Sequence, residues 1–157
     1  MADLTRSQII YLIAMNSGKG IVLRGVDLTS VDLRSLDLSE ANLELAKISN
    51  ANLSQVNLEH ANLKLSYLDY TDLSEANLKG ANLQDAVLIG ADLRAADLSN
   101  ANLQNADLRS ANLRGAVLNR TNLWHARLKD ANFVFANIEG AKGLPVEIYE
   151  ELQGKKT

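Results

Sequence analysis

The chain has 157 residues, which is enough for one domain with its own core. It contains no cysteine, so this sequence holds neither a disulfide framework nor a thiolate metal site. Its formal net charge of −3 is too small to indicate a nucleic-acid-binding surface or a strongly acidic one.

Residues 1–20 have the pattern of a short helix that caps the end of a larger structure. Thr5 or Ser7 can cap its start, and Gly18 is suited to its end. Between them lies a run of large apolar side chains that would be costly to expose, and we expect these to cover the structure that follows. They are Ile9, Ile10, Tyr11, Leu12 and Ile13.

The same segment also indicates where in the cell the protein is located. A helix lying on a membrane surface is the alternative to a cap, but it would need a basic polar face that this segment lacks. The apolar run from Ile9 to Met15 is too short to cross a bilayer, and its flanks match a secretion signal poorly. The sequence therefore predicts a cytoplasmic protein.

Between residues 21 and 140 a leucine-like residue returns at every fifth position. The series starts at Leu23, and only Ile48, Phe133 and Ile138 in it are not leucine. The residue two positions earlier is small or apolar each time, and most often alanine. A fixed short period of this kind is typical of a repeat protein.

A period of five fits neither a continuous helix nor a continuous strand, because their side chains repeat about every 3.6 and 2 residues. Within one pentad, such as residues 81–85, Ala81 and Leu83 are two apart and share the inner face of a short extended segment. Asn82 then faces outward, and the last two residues turn the chain. Repetition of this unit predicts a coil wound around a continuous apolar core.

A weaker period of twenty residues indicates that four pentads form one coil. The outward residue is asparagine at Asn42 and at every twentieth position up to Asn122, and the series from Asp32 contains only aspartate and asparagine. A third series is irregular. It reads Asp27, Lys47, Tyr67, Val87, Asp107 and Arg127.

Tandem A-(D/N)-L-x-x units, as in residues 76–80, resemble those of the pentapeptide-repeat family, and the resemblance covers residues 21–140. It implies an all-β solenoid, namely a right-handed quadrilateral parallel β-helix of about six coils with short terminal capping helices. At about 4.8 Å per coil the rod would be about 30 Å long. We therefore divide the chain into a capping helix at 1–20, the β-helix at 21–140, and a capping helix with tail at 141–157.

Residues 141–157 are predicted to close the other end. Gly143 takes the place of the next leucine and ends the repeat, and a short helix starts at Leu144 and Pro145, where the missing N–H of proline costs little. We expect this helix to cover the last coil rather than to form a dimer contact, which is the alternative. Its apolar side would consist of Val146, Ile148 or Tyr149, and Leu152.

No group of residues indicates catalysis. His60 and His125 lie in different series, several coils apart, with no further ligand or base near them in the pattern. The regular Asp and Asn residues indicate a structural role in which short side chains bond the neighbouring backbone, and glycines such as Gly80 and Gly90 fall at corners. We expect no enzyme, no cofactor and no metal site.

The irregular series is where we expect function. Stacking by twenty residues brings together apolar side chains of the second to fourth coils, which we call the interaction patch, next to Lys47 and Asp69. Exposed apolar surface with tyrosines and flanking charge is typical of a binding site, and surface drift or cover by a terminal segment is the alternative. The patch consists of Leu45, Leu65, Tyr67, Tyr70, Val87 and Ile89.

These features predict a non-enzymatic rigid scaffold that presents a side face to an unidentified protein partner or to a second copy of the chain. Nucleic acid, membranes and small-molecule substrates are not expected as partners. The family resemblance offers an alternative, a DNA mimic that modulates or protects a type II topoisomerase. Duplex DNA carries one negative charge per about 1.7 Å, whereas residues 81–140 have a net charge of zero. Their basic residues, expected to face outward, are Arg94, Arg109, Arg114, Arg120, Arg127 and Lys129.

Overall fold

The computed structural model describes residues 2–16 and 20–154. Two helices, α1 (Arg6–Met15) and α2 (Val146–Gly154), lie at the ends of a coiled region. Each pentad of the coil contributes one bridge residue, which pairs in parallel with the residue twenty positions later, from Val22 with Asn42 to Asn122 with Lys142. The molecule is therefore a β-helix solenoid with four pentads per coil, as the twenty-residue period predicts.

Six coils follow one another, the first at 21–40 and the sixth at 121–140, and the four sides of the coil are numbered in chain order. Side 1 carries the bridge residues Val22, Asn42, Asn62, Asn82, Asn102 and Asn122. Side 2 carries Asp27, Lys47, Tyr67, Val87, Asp107 and Arg127. Sides 3 and 4 begin with Asp32 and Asp37.

Backbone hydrogen bonds join each coil to the next in a constant pattern. Leu83 N donates to Asn102 O at 2.7 Å, and Asp85 N donates to Gln104 O at 3.0 Å. In the opposite direction, Asn82 N donates to Ala61 O of the preceding coil at 2.9 Å. Each coil is therefore completed only by its neighbours, as in other solenoids.

The corner of each pentad is made by two devices. The last residue of every pentad has a left-handed backbone, with φ between 55° and 70°, whether it is glycine or, as at Leu45, a bulky residue. The second residue holds the turn through its side chain, as where Asn82 Oδ1 accepts a hydrogen bond from Gln84 N at 3.2 Å. The same bond recurs around the coil, which confirms the predicted structural role of the Asp and Asn residues.

The core runs along the whole coil. The residues at the leucine position of each pentad from Leu23 to Leu123 are almost wholly buried, in the inward phase that the sequence predicts. The small position two residues earlier is also buried from Ala41 to Thr121, whereas the larger Val26, Val31 and Leu36 of the first coil are only partly buried. Three buried hydroxyls occupy small positions, and each donates to a carbonyl, as Thr121 does to Leu98 O at 2.7 Å. All three of these buried hydroxyl groups are therefore hydrogen-bonded.

Helix α1 lies over the first coil. Thr5 caps its start through a reciprocal bond with Gln8, and Asn16 follows its last residue; the predicted stop, Gly18, lies outside the described residues. Ile9 is fully buried, and Leu4 and Ile13 pack against the core. The expectation that Ile10, Tyr11 and Leu12 also cover the coil is wrong, because all three are exposed.

The physical reason is that one helix laid across the narrow end of a rod can bury only one face. The residues before and inside α1 also take the place of a preceding coil at two sides. Asp3 N donates to Asp27 O at 2.7 Å, and Asp27 N donates to Asp3 Oδ2 at 2.8 Å. Arg6 donates to the carbonyls of Asp32 and Arg34, both at 3.0 Å. These bonds satisfy backbone N–H and C=O groups at the edge of the first coil, which would otherwise be free to pair with a strand of another molecule.

At the other end, Lys142 is the last bridge residue and Pro145 immediately precedes α2. Leu144 and Leu152 are buried. Ile148 and Tyr149 pack against the core, and the Tyr149 hydroxyl donates to Ala141 O. Val146, which the sequence places on the apolar side, is instead exposed, because at about 3.6 residues per turn it lies outside the face on which Ile148, Tyr149 and Leu152 contact the core. None of the helices within residues 2–16 and 20–154 has the length and apolarity to cross a membrane.

Candidate interaction surface on side 2

The structure brings the residues of the interaction patch together on adjoining coils. Leu45 and Leu65 occupy the same corner between sides 1 and 2 in successive coils. Tyr67 and Val87 form a bridge on side 2, and Leu68 N donates to Val87 O at 2.7 Å. Tyr70 N donates to the carbonyl of Ile89 in the next coil at 2.9 Å. The predicted neighbourhood is thus built from the backbone pairing itself.

Exposure varies across the patch. The side chains of Tyr67 and Tyr70 are 47% and 64% exposed, and Leu45 and Leu65 are exposed as well. Val87 and Ile89 are half-buried, so they form the floor of the patch rather than its projecting part. The tyrosines and leucines are therefore the side chains that a partner would reach first.

Tyr70 is held by a feature that the sequence analysis missed. Its ring lies over Gly90, twenty residues later, where a Cβ atom would come within 2.7 Å of Tyr70 Cε1. His60 lies over Gly80 in the same way, with 2.4 Å between the added Cβ and Nδ1. The signal was available in the sequence as a ring at one corner and a glycine at the same corner of the next coil.

Gly90 therefore positions the Tyr70 ring against the backbone of the fourth coil. A side chain held in this way loses less conformational freedom when a partner binds than one that moves freely. Gly90 belongs to the candidate surface as a positioning residue, although it has no side chain of its own.

Charged and polar groups surround the patch. Lys47 is exposed above Tyr67, and Asp69 is fixed by a hydrogen bond of 2.6 Å from the Ser49 hydroxyl. Below the patch, Asp107 accepts hydrogen bonds from Arg109, at 2.8 Å from Nε and 2.7 Å from Nη2. These bonds hold the pKa of the Asp107 carboxyl below its ordinary value. Side 2 thus changes from apolar to charged below the fourth coil.

The other sides are occupied by regular polar arrangements at the same height. On side 1, Asn62 Nδ2 donates to Asn42 Oδ1 at 3.4 Å, and Asn82 Nδ2 donates to Asn62 Oδ1 at 3.3 Å. On side 3, Arg94 binds Asp92 at 2.6 Å. The apolar surface of side 2 interrupts a rod that is otherwise polar at these coils, so repetition of the fold alone does not account for it.

The two histidines lie in different coils and at different corners. His60 and His125 are both exposed there. Within residues 2–16 and 20–154, no three His, Asp or Glu side chains are grouped so that they could hold a metal ion.

Comparison with known proteins identifies the class to which this solenoid belongs. The family described as Pentapeptide repeats matches in eight copies, over residues 19–44, 46–85, 76–115 and 106–142. These segments cover most of the chain, so the chain belongs to the pentapeptide-repeat family, as its A-(D/N)-L-x-x units predict.

Two solved structures illustrate the similarity. The chain is 28% identical to a pentapeptide repeat protein from the thylakoid lumen of Arabidopsis thaliana, with a TM-score of 0.61, over 66% of this chain and 75% of that one. It is 26% identical to a pentapeptide repeat protein from the cyanobacterium Cyanothece 51142, with a TM-score of 0.60, over 86% of this chain and 97% of that one. No curated protein sequence matches the chain.

Proposed function

We propose that the protein is a non-enzymatic scaffold, wound as a right-handed quadrilateral β-helix, that uses the interaction patch to bind a protein partner. The observation that supports this most is the continuous surface of Leu45, Leu65, Tyr67 and Tyr70 on coils that are otherwise polar on their outer surface. Tyrosines give large contact areas with a polar tip and are enriched among the residues that dominate binding energy.

The chemistry of the patch favours a protein over other partners. Its apolar centre offers little to a phosphate backbone, whose recognition depends on clustered lysine and arginine. The Lys47 side chain above it and the Asp69 carboxylate beside it supply charges of both signs at its rim, where they select a complementary surface rather than add much affinity. We propose no cofactor, small-molecule substrate or membrane as a partner, and we propose the cytoplasm as its location.

The DNA-mimic alternative gains no support from the surface charges. The fourth coil carries an exposed Arg94, and the fifth carries exposed Arg109, Arg114 and Arg120. The sixth coil carries exposed Arg127 and Lys129. A surface that imitates DNA requires dense negative charge along its whole length. Failure of the purified protein to change the supercoiling activity of a type II topoisomerase is the expected result.

The test of the proposed function is a double substitution, Tyr67→Ser with Ile89→Ser. Proteins captured from an extract of the source organism by the immobilised wild type should be lost with this variant, because the variant removes one anchor and part of the apolar floor. A matched control, Lys79→Ser with Asn100→Ser, changes exposed residues on the opposite side at the same coils and should retain them. If the control loses the same proteins, or the patch variant retains them, the interaction patch is not the binding site.

A gentler variant separates binding from folding. Gly90→Asn keeps a residue type that the same corner of other coils accepts, as at Asn50, but it displaces the Tyr70 ring. Capture of the partner by Gly90→Asn should weaken while the thermal melting temperature falls by only a few degrees.

The melting temperature of the double variant Tyr67→Ser with Ile89→Ser is also informative. A large loss of melting temperature in that variant would mean that the patch is packed internally and serves folding.

A further inference from the structure

Side 2 carries a charge pattern that runs along its whole length and encloses the interaction patch. At the upper end Asp27 forms a bridge with Lys47 of the next coil, and at the lower end Asp107 forms a bridge with Arg127 in the same way. The two bridge residues between these pairs are apolar. Side 2 therefore has an acid above a base at each end and an apolar centre.

This order is complementary to itself when the direction of the rod is reversed. Two copies can place side 2 against side 2 with their rods antiparallel and with a twofold axis between the third and fourth coils. The first coil of one copy then faces the sixth coil of the other, the second faces the fifth, and the third faces the fourth. A twofold interface brings the same surface of both copies together, so each contact occurs twice.

Opposite charges then meet at both ends of the interface. Asp27 faces Arg127 of the second copy, and Lys47 faces its Asp107. The Arg127 side chain is 70% exposed and lies 3.6 Å from Asp107 of its own chain, so it can turn toward a carboxylate of another chain. Asp107 keeps Arg109, which binds it at 2.7 Å, and becomes open to Lys47.

The parallel arrangement lacks this match. With a twofold axis along the rods, each coil faces the same coil of the other copy, and Arg127 would lie against Lys129. In the antiparallel arrangement no acid faces an acid, because the corner carboxylates Asp85 and Asp130 lie opposite Leu65 and Ser30. Charge therefore favours the antiparallel direction.

The centre of this interface is the interaction patch. Tyr67 faces Val87 of the second copy, so a large apolar side chain lies against a smaller one. The Tyr70 ring lies over Gly90 of the fourth coil, which places it at the level of the twofold axis, next to Tyr70 of the second copy. Aromatic pairs of this kind add to the energy of burial.

The area requires the whole side rather than the patch alone. Side 2 is about 29 Å long at about 4.8 Å per coil, and about 20 Å wide with the side chains of its two corners. Full contact would bury about 600 Å² on each copy and about 1,200 Å² in all, the lower end of the range for specific interfaces. An occupant must therefore match the charged ends as well, and a second copy does so by symmetry.

We propose that the partner of the interaction patch is a second copy of the chain, bound side to side and antiparallel along the whole of side 2. This inference rests on the proposed function, because the patch supplies the apolar contact and the charged ends set the direction of the second copy.

The experiment exchanges charges at the two ends of side 2 in the full chain. Analytical ultracentrifugation of the wild type should show a monomer–dimer equilibrium. Arg127→Glu and Asp27→Lys should each weaken the dimer about tenfold, because like charges then face each other. An equimolar mixture of these two variants should recover the wild-type affinity, since opposite charges face each other again at both ends.

Two further variants complete the design. Lys47→Glu lies away from the N-terminal cap and should weaken the dimer as Arg127→Glu does, because the glutamate would face Asp107. Arg120→Glu is the matched control, since it reverses an exposed arginine at the corner between sides 4 and 1, where the first coil has Glu40. It should dimerise like the wild type. Far-UV spectra and melting temperatures of all variants should match those of the wild type.

Other outcomes overturn the inference. Dimers that persist in Arg127→Glu and Lys47→Glu, or that are lost in Arg120→Glu, place self-association on another surface. A mixture that does not recover the dimer shows that the two faces are not antiparallel.

A wild type that stays monomeric at hundreds of micromolar also refutes the dimer, and capture from the extract then decides the proposed function separately. If the variant Tyr67→Ser with Ile89→Ser loses the captured proteins, the patch binds a different protein and only the dimer is wrong. If that variant retains them, both are wrong.

Discussion

The corner residue of each pentad shows how far this fold constrains single residues. A left-handed backbone costs an ordinary residue about 1–2 kcal/mol, yet corners such as Leu45, Leu65 and Tyr70 adopt it. No valine, isoleucine or threonine stands at a corner between residues 21 and 140, in keeping with the greater strain of branched side chains there. Neighbouring backbone hydrogen bonds offset the strain, as where Leu45 N donates to Lys64 O at 3.0 Å.

The Asp residues at the second position of the pentad predict how stability depends on pH. Hydrogen bonds from Ser39, followed by one from the Asn57 side chain, hold the pKa of Asp37 below its ordinary value. A carboxyl whose pKa is lower in the folded than in the unfolded state stabilises the fold above the unfolded pKa of about 3.9. That contribution is lost as the pH falls through the folded pKa.

The substitution Asp37→Asn tests this at the residue scale. The asparagine keeps an oxygen acceptor for Ser39 N, as Asn82 does for Gln84 N, so the melting temperature at pH 7 should change little. Between about pH 5 and pH 2 the melting temperature of the variant should fall less steeply than that of the wild type. The melting temperatures are measured by circular dichroism. If they depend on acid pH in the same way in the variant and the wild type, the carboxylate makes no such contribution.

At the scale of elements, the two ends of the solenoid are closed by different means. At the start, Asp3 and Arg6 reproduce hydrogen bonds that a preceding coil would make, and α1 supplies one buried side chain, Ile9. At the C-terminal end, the five-residue repeat stops at Gly143, and Leu152 of α2 is buried against the core. Both caps are short, so each depends on a few residues.

Gly143 lets the chain leave the repeat and enter the second cap. Its φ is +82°, and an added Cβ would lie 2.5 Å from Trp124 N. We expect Gly143→Ala to cost about 3 kcal/mol, at the upper end of what local backbone strain costs. Gly25→Ala is the control: its φ is +70° and nothing lies within 4 Å, so only the left-handed strain of about 1 kcal/mol applies. Urea unfolding measures both, and equal effects would show that the close approach to Trp124 is unimportant.

At the scale of the whole molecule, stability is expected to be a sum of coils and of the interfaces between them. Deleting residues 102–121 joins Ala101 to Asn122, so the Ala-Asn-Leu order and the four-sided phase both continue. The shortened protein should keep the far-UV spectrum per residue and should melt at a lower temperature, because one coil and one interface are gone. The interaction patch lies outside the deletion and should still bind its partner.

The control deletion removes residues 102–119, two residues fewer. The leucines of the sixth coil would then fall out of phase with those above them, and core residues would face solvent. This variant should lose cooperative melting or fail to fold. If both deletions behave alike, the strict phase of the coil is not what stabilises it.

The sequence by itself determined every property that repeats. The inward phase of Leu83, the corner at Gly90 and the turn-forming role of Asn82 follow from spacing, because each pentad meets the same surroundings as the next. The period of twenty residues then placed Tyr67 beside Val87, since pairing between coils is a fixed translation along the chain. Neighbourhood on the surface was therefore predictable without knowledge of any distant contact.

Only the tertiary structure decided what happens where the repeat stops or where side chains reach between coils. Which face of α1 is buried depends on how a helix fits across the end of the rod, and this left Tyr11 and Met15 exposed. The pairing of Asp3 with Asp27 and the hydrogen bonds from Arg6 to the carbonyls of Asp32 and Arg34 join residues more than twenty positions apart and lie outside the repeat. Such contacts depend on side-chain geometry in three dimensions, which spacing along the chain does not specify.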